Sequence, residues 1–338
     1  WNALLGGYVQ QGQSAEALKC FGMMQKQDLS PDAITFICVL KACGELGAIE
    51  QGKEIHENIR CKGLLKNDVV LGTALVDMYA KCGELAKAQE VLEGLPVRDV
   101  VSWNVLLAGY VNKEQYDATL NSFEQMQSEG CSPNVVTLVC VLKACGNTRA
   151  IEKGEKFYDF FFSMGIVGKD TTVVTALVDM YAKCGMLIKA QEVLMGLPVQ
   201  DVVAWNALIA GYVQHGQFHE ALHWFEQMRG EGCCPDTTTY MCALKSCGNI
   251  GDIDRGKQLH NEIINKSFLS EDIALGNALI DMHAKCGMLV QAQQVLEGLR
   301  ERHSVSWNAL ISGYVQHGQI NEAWNCFQQM QSEGLCPN

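Results

Sequence analysis

The chain repeats itself every 102 residues. Val-Val-Ser-Trp-Asn at 100–104 returns as Val-Val-Ala-Trp-Asn at 202–206 and Ser-Val-Ser-Trp-Asn at 304–308, and Trp1-Asn2 is the remnant of a fourth copy. Val-Leu-Lys-Ala-Cys-Gly stands at 39–44 and 141–146, and becomes Ala-Leu-Lys-Ser-Cys-Gly at 243–248. Ala-Leu-Val-Asp-Met-Tyr-Ala-Lys-Cys-Gly stands at 74–83 and 176–185, and becomes Ala-Leu-Ile-Asp-Met-His-Ala-Lys-Cys-Gly at 278–287. Such a period overrides the separate domains that 338 residues would otherwise suggest.

Each block divides into repeats of 35, 36 and 31 residues, called standard, long and short below. The boundaries fall at 1–32 (truncated), 33–68, 69–99, 100–134, 135–170, 171–201, 202–236, 237–272, 273–303 and 304–338. Each repeat reads as two helices. In 202–236, Ala204, Leu208, Ile209 and Tyr212 keep the spacing of a first helix, and Gly216 follows where a left-handed residue ends it. Phe218, Ala221, Leu222, Phe225 and Met228 space a second helix, closed by Gly232. Glycine recurs at the first turn in eight of ten repeats, Glu114 and Arg149 being the exceptions. All six prolines (Pro31, Pro96, Pro133, Pro198, Pro235 and Pro337) stand one or three residues before a repeat ends, where they stop a helix. One hairpin cannot bury its apolar face alone, so neighbours stack.

Composition narrows the function. The 48% hydrophobic content supplies a continuous core. A net charge of −12 argues by itself against nucleic acid, because phosphate contacts need Lys and Arg. Any such role therefore depends on where the cations sit. The 16 Cys occupy repeat-equivalent positions in helical patterns with no signal peptide ahead of them. They read as small buried thiols of a reducing compartment, not as a disulfide framework. No apolar run approaches membrane-spanning length, and no membrane partner is expected. Because it starts at Trp1 in mid-repeat, the chain is expected to be a piece of a longer protein, with any targeting peptide or C-terminal domain outside it.

Trp-Asn-Ala-Leu-Ile-Ala-Gly-Tyr at 205–212, Ala-Leu-His-Trp-Phe-Glu-Gln-Met at 221–228 and Cys-Pro-Asp at 234–236 resemble the consensus of the pentatricopeptide repeat (PPR) family. The alternation of 35, 36 and 31 residues is similar to its plant-typical PLS subclass, and the resemblance covers the whole chain. The implied fold is all-α: a right-handed α-solenoid superhelix of about ten helix-turn-helix repeats, one continuous domain over 1–338. The implied function is sequence-specific binding of single-stranded RNA, one base per repeat. Proteins of this subclass act mostly in C-to-U editing of organelle transcripts. The resemblance therefore implies a mitochondrial or chloroplast location, and editing cofactor proteins or a deaminase domain as partners. It implies no cofactor and no catalytic or metal site in this chain, and DNA is not an expected partner.

In this family the fifth and last residues of a repeat meet the base edge. Carried over, the standard repeats present Asn2 with Asp32, Asn104 with Asn134, Asn206 with Asp236, and Asn308 with Asn338. The short repeats present Thr73 with Asp99, Thr175 with Asp201, and Asn277 with His303. The resemblance implies uracil for Asn with Asp, a pyrimidine leaning to cytosine for Asn with Asn, and guanine for Thr with Asp. No base follows for Asn277 with His303. An amide donates and accepts, which suits a pyrimidine edge, while a hydroxyl beside a carboxylate offers acceptors to guanine. The long repeats carry Ile37, Val139 and Met241 at the fifth position and are expected to read weakly. The implied target is U-n-G-Y-n-G-U-n-n-Y. The second residues are expected to wedge beside the bases: Ile34, Val70, Val101, Val136, Thr172, Val203, Thr238, Ala274 and Val305. Most are branched and stiff, and packing at helix starts is the plainer alternative.

First helices line the concave face in this family. Lys41, Lys143 and Lys245 recur on those of the long repeats and Lys81, Lys183 and Lys285 on those of the short ones, as candidate phosphate contacts. Much of the acidity falls on second helices, at Glu90, Glu192, Glu220 and Glu322. His219-Glu220-Ala221-Leu222-His223 matches the zinc-protease pattern, but the aligned residues Ala15, Glu16 and Lys19, and Asn321, Glu322 and Asn325, keep only the Glu. No Cys-x-x-Cys offers zinc-ligand spacing. Trp103, Trp205 and Trp307 share one slot and read as packing. The rival function is a protein-binding helical scaffold, which has no reason to place Asn or Thr fifth and Asp or Asn last.

Overall fold

The computed structural model describes residues 1–66, 68–165, 171–196, 201–266 and 272–336, and contains no strand among them. Helices follow one another in pairs: α1 (Asn2–Gln10) with α2 (Ser14–Lys26), α3 (Ala33–Leu46) with α4 (Ile49–Cys61), and α5 (Val69–Lys81) with α6 (Leu85–Glu93). Next come α7 (Val100–Asn112) with α8 (Tyr116–Ser128), α9 (Val135–Thr148) with α10 (Ile151–Ser163), and α11 (Thr171–Lys183) with α12 (Leu187–Met195). The last are α13 (Val202–Gln214) with α14 (Phe218–Gly230), α15 (Thr237–Ile250) with α16 (Ile253–Asn265), α17 (Ile273–Lys285) with α18 (Leu289–Gly298), and α19 (Ser304–Gln316) with α20 (Ile320–Ser332).

The fold groups into two compact units, Trp1–Val173 and Val174–Asn338. In the first half α3 packs on α1 and α5, and α7 on α5 and α9. In the second, α15 packs on α13 and α17, and α17 on α19. First helices thus stack on first helices, and a second helix such as α8 leans on both α7 and α9. This packing buries the periodic positions Leu208, Ile209 and Tyr212 of α13 and Ala221, Leu222, Phe225 and Met228 of α14. Burying one such Leu or Phe contributes about 1.5–3 kcal/mol. Trp103, Trp205 and Trp307 are fully buried, so the recurring indole is a core group. Cys43, Cys145 and Cys247 are buried too, and burial pushes the thiols of Cys43 and Cys247 up to about 12.

Local chemistry explains the helix ends. Asp32, Asp99, Asn134, Asp201 and Asp236, each the last residue of its repeat, cap the following first helix by accepting from the backbone N–H three residues on. At Asp32, Asp99, Asn134 and Asp236 the residue three on accepts in return from the cap's own N–H, completing a capping box. At the first turn Gly47 and Gly251 take left-handed φ values of 66° and 72°. Glu114 and Arg149 hold the same conformation, at 58° and 55°, with a side chain.

Candidate nucleic-acid interface

In three standard repeats, 1–32, 100–134 and 202–236, a closed hydrogen-bond ring joins the fifth residue to the capping box of the next repeat. Asn2 Nδ2 donates to the Asp32 carboxylate at 3.0 and 2.9 Å, and Thr35 Oγ1 donates to Asn2 Oδ1 at 2.7 Å. The same ring joins Asn206, Asp236 and Thr239, with Nδ2 to both carboxylate oxygens at 3.0 Å and the hydroxyl to Oδ1 at 2.6 Å. In 100–134 the cap is an amide: Asn104 Nδ2 donates to Asn134 Oδ1 at 2.9 Å, and Thr137 Oγ1 to Asn104 Oδ1 at 2.7 Å. Each predicted pair described here is therefore in direct contact. Asn338 lies outside the described residues, so the partner of Asn308 does too.

The ring fixes which way the amide faces. Each threonine hydroxyl accepts from its cap's backbone N–H and lies nearer the asparagine oxygen than the cap oxygen it also meets. The distances are 2.7 against 2.8 Å for Thr35, 2.7 against 3.3 Å for Thr137 and 2.6 against 2.9 Å for Thr239. Pointing the proton at the asparagine avoids setting two oxygens against each other. A carboxylate only accepts, so the amide nitrogen must face Asp32 or Asp236. The Asp32 carboxyl is held below the usual carboxylate range, first by the Thr35 backbone N–H and then by its hydroxyl. At Asp236 burial opposes ionisation, yet the hydrogen bonds from Thr239 and Asn206 outweigh it and the value is also lowered. The asparagine carbonyl is thus turned inward onto the hydroxyl; Asn104 Nδ2 makes one hydrogen bond and keeps a second N–H, whereas Asn2 and Asn206 Nδ2 each meet both carboxylate oxygens.

Short repeats are built differently. Thr73 Oγ1 donates to the Val69 carbonyl at 2.9 Å, and the Thr175 hydroxyl is buried with no partner. Among the described residues no hydrogen bond joins Thr73 to Asp99 or Thr175 to Asp201. Asn277 Oδ1 accepts from Ser306 Oγ at 2.5 Å, while His303 caps α19 without a side-chain bond and lies 3.8 Å from Glu301. Ile37, Val139 and Met241 of the long repeats are half-buried.

Every second-position residue is exposed. Ile34, Val70, Val101, Val136, Val203 and Val305 are 51–64% accessible, and Thr172, Thr238 and Ala274 are exposed as well. In the first half Val101 and Val136 line a cleft of about 650 Å³ together with Asn104, Asn134, Asp77 and Lys81. In the second, Asn277, Val305 and Asn308 line one of about 690 Å³ with Met241, Lys245 and Asp281. Clefts of this size accept small-molecule-sized groups.

The lysines fall into two classes. Lys41, Lys143 and Lys245 are exposed and make no ion pair among the described residues. Lys81, Lys183 and Lys285 each contact an aspartate one turn back, Asp77, Asp179 and Asp281, at 2.7, 2.8 and 2.8 Å. The short-repeat cations expected to be free are therefore neutralised locally. The Thr35-type hydroxyls and these aspartates were both missed by sequence reasoning, although Asp-x-x-Thr and Asp-x-x-x-Lys are visible in the chain.

The fold is an array of stacked helical hairpins, with hydrogen-bonded polar pairs at the entrances of three standard repeats. A sequence model described as PPR repeat family matches residues 1–45, 98–147, 200–249 and 302–338, and another, described as PPR repeat, matches 73–100, 172–197 and 277–304. The chain belongs to the PPR repeat family. Over 338 residues it is 35% identical to a chloroplastic pentatricopeptide repeat-containing protein of Arabidopsis thaliana and 35% identical to a mitochondrial one from the same plant. These matches take in 100% of this chain but only 41% and 48% of the two relatives, so the chain spans about half the length of such proteins. Among solved structures, PPR10 in complex with an 18-nt psaJ RNA element superposes with a TM-score of 0.72 at 18% identity, covering 100% of this chain and 56% of that one. PPR10 from maize gives 0.69 at 18% identity, covering 100% and 54%. The shared feature is the fold, an α-solenoid of helical repeats.

Proposed function

We propose that the chain binds single-stranded RNA along its first helices, one base per repeat, with its ten repeats acting as one continuous recognition tract. The observation that carries this reading is the cleft in which exposed Val101 and Val136 flank the hydrogen-bonded pair Asn104 and Asn134. Two stiff aliphatic side chains either side of a polar edge suit a flat ligand with a hydrogen-bonding rim, which is what a nucleobase is. A peptide group is planar too but presents a much smaller face than a base, so the protein-scaffold alternative is less well served. Membership of the PPR repeat family and the fold shared with an RNA-bound PPR10 support the same choice.

On this reading the fifth and last residues specify U-n-G-Y-n-G-U-n-n-Y, the second residues hold the bases, and the lysines of the long repeats meet phosphates. The PLS-like alternation of repeat lengths and the chloroplastic and mitochondrial names of relatives favour an organelle and a role in target recognition for C-to-U editing, with a deaminase supplied by another domain or protein. Fluorescence anisotropy with the ten-base RNA and its scrambled version tests the proposal. Tighter binding to the specified sequence is expected, with Thr73→Asn moving the third-base preference from guanine towards a pyrimidine. Equal binding to both RNAs would remove the proposal, and an unchanged third-base preference would remove the code assignment.

A further inference from the structure

With the exception of Ala204 behind Thr175, the third residue of a repeat follows the polar or apolar character of the fifth residue of the repeat before it. Thr35, Thr137 and Thr239 follow Asn2, Asn104 and Asn206, and Ser306 follows Asn277. Behind the apolar Ile37, Val139 and Met241 stand Leu71, Val173 and Leu275. Behind Thr73 and Thr175 stand Ser102 and Ala204. In the structure Thr35, Thr137, Thr239 and Ser306 are all fully buried, and the asparagine oxygen is the nearest side-chain acceptor of each hydroxyl, at 2.5–2.7 Å, the three threonines also meeting the cap oxygen at 2.8–3.3 Å. A buried hydroxyl cannot itself reach a ligand. It acts through the amide.

We infer that this buried hydroxyl is a specificity-determining positioning residue, which locks the fifth-position asparagine with its N–H outward. The inference rests on the RNA-binding reading above. A free amide can rotate by half a turn and offer either a donor or an acceptor. Held by the hydroxyl, it offers an N–H, so it takes a base edge presenting an acceptor, such as O2 or O4 of uracil or O2 and N3 of cytosine. It opposes N–H against N–H at the N1 and N2 donors of guanine.

The lock matters most where nothing else orients the amide. In 2–32 and 202–236 the Asp32 and Asp236 carboxylates hold the amide nitrogen as well. In 100–134 the cap is Asn134, a neutral amide whose Oδ1 is held by the Thr137 backbone N–H and accepts from Asn104 Nδ2 at 2.9 Å, so without a carboxylate there the Thr137 hydroxyl carries a larger share of the orientation. The same logic gives the pair without a code, Asn277 and His303, a preference: Ser306 turns its carbonyl inward, and the ninth base is a pyrimidine.

The test uses the full chain and compares Thr137→Val and Thr137→Ser by anisotropy on RNAs varied at the fourth and seventh bases. Wild type prefers a pyrimidine over guanine at both. Thr137→Val is expected to lose about tenfold of that preference at the fourth base, equivalent to one misoriented hydrogen bond, while keeping it at the seventh. Thr137→Ser, with the hydroxyl restored, keeps both. Wild-type preference at the fourth base in Thr137→Val overturns the lock, and so does equal loss at both bases, which would mark a purely structural role. No preference in the wild type at either base overturns the RNA reading itself, and the lock with it.

Discussion

His283 Nε2 lies 2.9 Å from His260 Nδ1, and the two rings meet edge to face between α17 and α16 with His283 fully buried. Only one of the facing nitrogens can carry a proton without placing two N–H groups against each other. Burial pushes His283 down to about 4, helped by the neighbouring His260 and Lys257, and burial also lowers His260. Two blocks earlier the same position holds Tyr79, whose hydroxyl bonds His56 Nδ1 at 2.9 Å.

That contrast sets a pH prediction. His283 has a lowered pKa in the folded chain, so the unfolded chain binds the proton first as pH falls. Its contribution is fully present above the ordinary value of 6.5 and is lost on acidification towards 4. His283→Tyr recreates the His56–Tyr79 arrangement and removes one such group. Urea unfolding at pH 7, 6, 5 and 4 should show the variant losing less stability over this range, its slope shallower by up to about 1.4 kcal/mol per pH unit. Superimposable pH–stability curves would show that the pair is not the acid-labile element.

Glu114 and Arg149 occupy left-handed turns where the glycines at the equivalent positions, Gly12 and Gly216 for the first and Gly47 and Gly251 for the second, meet no steric penalty. Glycine at either position relieves a strain of about 1–2 kcal/mol, partly offset by its greater freedom when unfolded. Glu114→Gly and Arg149→Gly should each raise the urea midpoint by the equivalent of about 0.5–1 kcal/mol. A lowered midpoint would mean that side-chain contacts at these turns outweigh the backbone.

Much of the architecture was legible because the period samples the same hairpin many times. Apolar positions such as Leu208 and Phe225 recur at helical spacing, and no competing pattern survives three blocks. The resemblance paired the fifth with the last residue, and in three standard repeats these side chains are in contact, as Asn104 and Asn134 are. What escaped was pairing across the repeat boundary. Thr137 touches Asn104 from 33 residues away, a relation that spacing alone does not express. The Lys81–Asp77 pair escaped for a simpler reason: lysines were aligned as a column of cations without asking what stands one turn back.

The stacking of first helices depends on close backbone approach at Gly211. A Cβ there would lie 2.6 Å from the Ala182 Cβ and 3.2 Å from its Cα. Alanine normally favours a helix interior over glycine by about 1 kcal/mol, but here α11 and α13 would have to separate. Overpacking of this kind costs about 1–3 kcal/mol, so Gly211→Ala is expected to destabilise. Gly22, inside α2 with nothing within 4 Å, is the control, and Gly22→Ala should stabilise. Thermal melts that move the same way for both variants would contradict the close-approach account.

The aspartates that hold the short-repeat lysines bear on how an acidic chain could bind RNA at all. Asp77, Asp179 and Asp281 place negative charge on the same helix surface as the expected phosphate contacts, and Asp77 and Asp281 line the two clefts. Exposed pairs of this kind are worth little, about 0–1 kcal/mol each, so a phosphate can displace the carboxylate at small cost but keeps a like charge beside it. Replacing all three with asparagine removes that opposition while leaving the lysines in place. The triple variant should bind RNA more tightly than wild type. On a single strand each phosphate newly neutralised adds about 0.7 to the slope of log affinity against log salt, so three lysines would steepen it by roughly 2. Anisotropy across a salt series measures both quantities. If affinity rises with no change in slope, the aspartates act through general repulsion and Lys81, Lys183 and Lys285 do not touch phosphate. The phosphate column would then shrink to Lys41, Lys143 and Lys245, the lysines that carry no partner on their own helix.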